Sequence, residues 1–96
     1  MFISEVIFES ERVNETVIRQ IMKNKKDGTV NVDGLISAEC WWKETADTVG
    51  FALVTKWNSK EQFQNWLRES HSGGHKKLAG ERPKITKTAY QFESVE

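Results

Sequence analysis

Ninety-six residues, with fourteen acidic and fourteen basic side chains, carry a formal net charge of zero. The length predicts one domain over 1–96, and no polybasic patch or stripe appears in the sequence, which argues against nucleic acid or an anionic membrane as the main partner. A single cysteine, Cys40, excludes an internal disulfide framework. Neither MFISEVIFESER nor any later stretch reads as a signal peptide or a membrane span, so a soluble cytoplasmic protein is the expectation.

In chain order, Phe2 to Phe8 alternates as a strand, with Phe2, Val6 and Phe8 on one side and Ile3 and Ile7 on the other with Glu5 and Glu9. Ser10 or Asn14 is placed to cap a helix in which Val13, Val17, Ile18, Ile21 and Met22 recur near a 3.6 period. Lysines in its last turn suit the negative end of the helix dipole, and Asp27-Gly28 breaks it. A second strand is predicted from Gly34 to Lys43, and a polar turn around Glu44 to Thr48 leads into a third from Val49 to Trp57. Ser59 with Gln62 forms a candidate capping box for a second helix carrying Phe63, Trp66 and Leu67. The glycine pair Gly73-Gly74 interrupts any regular continuation of that helix, and after Pro83 a last strand is predicted from Ile85 to Val95.

The order is β-α-β-β-α-β. Its commonest compact solution is an α+β, ferredoxin-like sandwich: a four-stranded antiparallel sheet with both helices on one face. The helix-free face should then be polar in a monomer. The alternation instead puts Val49, Phe51, Leu53 and Trp57 on one side of the third strand and Ala52 and Val54 on the other. On the second strand it assigns Ile36, Ala38, Cys40 and Trp42 to one side and Leu35 and Trp41 to the other. Large apolar groups on both faces predict a symmetric homodimer that covers the free face.

Few residues are equipped for chemistry. His75 comes after the second helix, where a neutral imidazole can ligate haem iron or another metal, or move a proton near neutral pH. His71 stands at i, i+4 from it, a spacing for paired metal ligands, although the two glycines interrupt a regular helix there. Trp66, beside Phe63 and Leu67, serves either as a packed core residue or as a rigid wall against a flat ligand. Trp41, Trp42 and Trp57 read mainly as sheet and interface packing, and Cys40 as a small buried apolar residue. No phosphate loop, nucleophile elbow or dinucleotide fingerprint is present.

The string LVTKWNSKEQFQNWLRESHSGGHKK, with its W-x-S-x-x-x-F-x-x-W core, resembles the third-strand and second-helix segment of the antibiotic-biosynthesis-monooxygenase (ABM) superfamily. Within it, the likeness is nearest to the Isd-type haem-degrading monooxygenases. The resemblance implies a ferredoxin-like dimer whose sheets pack into an α+β barrel. It implies haem as both cofactor and substrate, with dioxygen and an external electron donor. By the same resemblance His75 is the iron ligand, Trp66 distorts the macrocycle, and Phe63, Val6 and Phe8 line the pocket. The family's distal asparagine on the first strand corresponds to Val6, which cannot donate a hydrogen bond. Two other functions fit the resemblance: a cofactor-independent oxygenase of a small aromatic compound, with His75 or His71 as base, and a non-catalytic haem- or ligand-binding module.

Overall fold

The computed structural model describes residues 1–71 and 84–95, without the side chains of Ser70 and His71. Strand β1 (Phe2–Glu11) leads through a 3-10 turn (Arg12–Asn14) into helix α1 (Glu15–Asp27). Strands β2 (Leu35–Glu44) and β3 (Thr48–Trp57) form a hairpin, succeeded by helix α2 (Lys60–His71) and strand β4 (Thr86–Glu93). The sheet order is β2-β3-β1-β4, with every neighbouring pair antiparallel, which is the ferredoxin-like arrangement. No helix among the described residues is long and apolar enough to cross a membrane.

Alternation along the central strands builds the core on one face. Phe8, Val49, Phe51 and Leu53 pack under α1 around Ile18. Phe2 and Trp57 pack under α2 around Phe63. Ile18, Val49, Phe51 and Trp57 are fully buried, and each such apolar side chain contributes about 1.5–3 kcal/mol. The β2–β3 turn is clasped from outside by Arg12, whose guanidinium donates to the Thr45 carbonyl at 2.6 Å and whose backbone N–H donates to the Asp47 carbonyl at 3.0 Å.

Three local expectations are corrected. Neither Ser10 nor Asn14 caps α1 with its side chain: Asn14 is the N-cap residue by position, but its amide donates to the Ser10 hydroxyl at 2.9 Å. The Ser10 hydroxyl in turn donates to the Lys84 carbonyl at 2.8 Å, so this pair ties β1 to the start of β4. Val13 falls in the 3-10 turn, out of phase with the helix, and is 83% exposed; Val17 is also exposed. Finally, a β-bulge between Leu35 and Ser37 reverses the facing of the strand's first residues. Leu35 pairs with Trp57 and packs in the core under α2, whereas the bulged Ile36 is exposed. From Ala38 onward the predicted facing holds, with Cys40 opposite Leu53 and Trp42 opposite Phe51.

Candidate functional site

The two helices lie on one face of the sheet and leave a space between them. Along β1, the residues facing that side are Phe2, Ser4, Val6 and Phe8, the period-2 consequence of the pleat. Opposite them on β3 stand Trp57, Thr55, Leu53 and Phe51. Phe2 and Trp57 are covered by α2, and Phe51 by α1. What remains in the middle is the floor of a cavity of about 330 Å³.

Ser4, Val6, Phe8, Leu53 and Thr55 form that floor. Phe63, Trp66 and Leu67 of α2 supply one wall, and Asn24, Lys25 and Gly28 at the end of α1 supply another. Lys87 of β4 completes the lining. The volume falls at the lower end of the range of small-molecule sites, and the apolar walls with a few convergent polar groups match their usual make-up.

Helix α2 is positioned by its cap and by aromatic packing. The Ser59 hydroxyl accepts from the Gln62 backbone N–H at 3.3 Å, as the capping box requires, while the Gln62 side chain meets that hydroxyl at 3.4 Å. Phe63 sits edge-on to Trp57 at 5.7 Å and tilted on Phe2 at 5.1 Å. Trp57 also backs Trp66, with ring centroids 5.3 Å apart. The Trp66 indole N–H reaches across to donate to the Gly28 carbonyl at 3.2 Å. That bond uses an orphan carbonyl at the end of α1 and fixes the ring as a wall.

The floor is similarly backed. Phe8 stacks on Phe51 at 4.9 Å and 19°. Two ammonium groups approach the Phe8 ring, Lys25 at 5.7 Å and Lys87 at 5.8 Å from its centroid. Burial, and then the positive charge of Lys87, pushes the Lys25 amine below its ordinary value. An apolar cavity with two close cations at one end has the electrostatics for an anion.

Of the residues singled out from sequence, Val6, Phe8, Phe63 and Trp66 come together around this one cavity. His75 lies outside the described residues, as does the side chain of His71. Trp57 is a fully buried support behind the wall, Trp42 packs on the core beneath the Arg19 guanidinium at 4.2 Å, and Trp41 is 60% exposed on the helix-free face. Burial raises the Cys40 thiol pKa, and the charge of Lys26 offsets this only in part, the environment of an unreactive thiol. Among the described residues, no cluster of three or more His, Cys, Asp or Glu side chains could hold a metal ion.

Sequence reasoning missed Ser4, Thr55, Lys25 and Lys87. The signal for Ser4 was present, because a hydroxyl interrupts the apolar face of Phe2, Val6 and Phe8. The lysines had none: one sits in a lysine-rich helix end and the other on an edge strand, where cations are ordinary.

No protein-family model matches the chain, and no curated protein matches its sequence. Solved structures do. A MhuD variant with two manganese protoporphyrin IX molecules bound per active site superposes with a TM-score of 0.74 at 17% identity, over 100% of this chain and 96% of that one. A dimeric ferredoxin-like protein from an uncultured marine organism gives a TM-score of 0.69 at 13% identity, over 100% and 96%. SnoaB, a cofactor-independent oxygenase from Streptomyces nogalater, gives 0.62 at 10% identity, over 99% and 94%. At these identities the similarity establishes the fold alone, a ferredoxin-like βαββαβ domain.

Proposed function

We propose that this chain is a monooxygenase-type enzyme whose helix–sheet cavity takes a flat aromatic acid, with haem the first candidate as cofactor and substrate. The observation that carries the reading is the composition of that cavity, with aromatic rings in one wall and in the floor and a pair of lysines at one end. A planar ring system gains from stacking on Phe and Trp, and its carboxylates pair with the two ammonium groups. The fold is shared with the haem-degrader MhuD from Mycobacterium tuberculosis, whose active site holds two haems, and with the cofactor-independent oxygenase SnoaB.

The described residues fit haem in two respects: Phe63, Trp66, Val6 and Phe8 offer apolar surface to a macrocycle, and Lys25 and Lys87 suit its two carboxylates. They include no imidazole or thiolate in the lining, so the iron ligand in this reading is His75, which lies outside them. Bound haem would supply the iron centre for dioxygen, with electrons from an external reductant. The protein's part is to hold and shield the ring. Trp66, fixed through Gly28, would wall the ring on the α2 side, and Val6 and Leu53 in the floor would keep water from it.

The test is a titration of the apoprotein with haem, following the Soret band, alongside His75→Ala. Saturable binding with one haem per chain that His75→Ala abolishes supports the haem reading, and loss of the Soret band with ascorbate under air identifies turnover. A Soret band that stays intact under those conditions marks a haem-binding module instead. Full haem affinity in His75→Ala removes that residue as the ligand.

A second reading is favoured by the cavity's size, which a compact polycyclic compound fills more readily than a macrocycle. Here the chain is a cofactor-independent oxygenase of a small aromatic acid. Oxygen uptake with such a substrate, in protein free of haem and metal, distinguishes it.

We also infer that the chain works as a homodimer. Trp41, Tyr90 and Phe92 are 60%, 47% and 50% exposed, and the strand pairing places them on the helix-free face with Ile3, Ile7, Ala52 and Val54. So large an apolar surface calls for a cover, and a second copy of the same sheet is a self-complementary one.

A further inference from the structure

Ser4 and Thr55 face each other directly across the β1–β3 pairing. Both point into the cavity, and both are buried, with exposures of 3% and 2%. Opposite residues in an antiparallel pair hold their Cβ atoms about 4.5–5.5 Å apart, so two hydroxyls there can converge on one acceptor atom.

Their hydrogen-bond states differ in an informative way. Thr55 Oγ1 accepts from the Trp57 indole N–H at 2.8 Å. Because Trp57 is wholly buried, that bond orients Thr55 and leaves its hydroxyl hydrogen to be donated elsewhere. Ser4 makes no hydrogen bond through its hydroxyl among the described residues, and because no buried side-chain nitrogen or oxygen there is left unpartnered, that hydroxyl is open to the cavity it lines. The floor thus carries two adjacent donors at one end. The lysine pair stands near Phe8, four residues further along β1, or about 13 Å at the strand rise.

We propose that Ser4 and Thr55 form a paired hydroxyl site that donates to an oxygen acceptor on the bound ligand, a ring carbonyl or a phenolate. The preferred ligand class is therefore a fused-ring aromatic acid bearing such an oxygen away from its carboxylate. The inference rests on the reading of this cavity as the site for a flat aromatic acid, and it goes further by assigning what recognises the ligand's buried end. Val6 beside them supplies only shape, so specificity for oxygenated rings falls to the two hydroxyls.

Two probes separate this proposal from the reading beneath it: anthraquinone-2-carboxylate, and anthracene-2-carboxylate, which has the same ring frame and acid without the carbonyls. Calorimetric titration of the intact protein should give about ten-fold tighter binding of the quinone, the size expected for one or two buried hydrogen bonds. In the double variant Ser4→Ala, Thr55→Val the ratio should fall close to one, each single variant should lose part of it, and Thr55→Ser should keep it. Equal affinities in the unmodified protein, or a preference that survives the double substitution, would overturn the proposal while leaving the cavity reading intact. Failure of both probes to bind overturns the cavity reading itself, and the hydroxyl site with it. The readout is a ratio within each protein, so a general loss of stability does not imitate it, and the unmodified protein's ratio decides the matter even if a variant does not fold.

Discussion

The indole N–H of Trp66 and the carbonyl oxygen of Gly28 are 3.2 Å apart, and this bond joins the middle of α2 to the end of α1. Among the described residues, the candidate site occupies the gap between the two helices. Replacing Trp66 by Phe keeps much of the ring and removes the donor. The expected cost is about 1 kcal/mol of stability, measured as a shift in the urea midpoint at unchanged m-value. Trp66→Ala should cost about 3–5 kcal/mol or somewhat less for its partial exposure, and should also weaken binding of a flat aromatic probe.

The paired lysines make binding of a carboxylate dependent on pH. Lys25 is held below the ordinary lysine value of 10.5, first by burial and then by Lys87. A bound carboxylate favours the charged amine, so affinity for anthracene-2-carboxylate should fall as pH rises through the lowered pKa of Lys25, with proton uptake on binding in that region. Lys25→Met should flatten the profile, and calorimetry in buffers of different ionisation enthalpy checks both. For folding without ligand the sign is opposite. Between the lowered pKa and 10.5 the unfolded chain holds more protons on this group, so its contribution makes stability rise with pH across that window.

Two glycines should respond in opposite ways to alanine. Gly50 lies near the start of β3, opposite Glu9, where an added Cβ would overlap the Phe8 carbonyl oxygen. Gly50→Ala should therefore cost about 1–3 kcal/mol, because the central strands must part to admit it. Gly28 has a right-handed φ of −70°, and among the described residues a Cβ there meets only the Lys25 and Asn24 carbonyl oxygens at 3.5 and 3.6 Å. Gly28→Ala should be neutral, or stabilising by about 0.4–1 kcal/mol through the unfolded state. Parallel urea unfolding of the two variants tests the contrast.

If a second copy covers the helix-free face, charges placed there should prevent it. Trp41→Glu combined with Phe92→Glu puts carboxylates on two exposed positions outside the core clusters. Sedimentation should change from dimer to monomer, with the secondary structure seen by circular dichroism retained. A dimer that persists in this variant places the contact elsewhere.

The kind and order of the elements were legible along the chain, because helix and strand are written in local periods. The 3.6 repeat of Ile18, Ile21 and Met22, the alternation of β1 and β3, and the Ser59–Gln62 cap all depend on residues a few positions apart. Half the cavity was legible in the same way: Val6, Phe8, Phe63 and Trp66 lie on apolar faces that had to turn inward. Its polar half was not. Lys25 and Lys87 belong to different elements and meet only because β4 pairs with β1 beneath α1. Ser4 and Thr55 become neighbours through the β1–β3 register, and Leu35 turns inward through a bulge that no local pattern announces. Periodicity says which way a side chain faces within its own element, whereas packing and strand register bring distant elements together, and only that convergence puts two hydroxyls at one end of an apolar floor and two cations at the other.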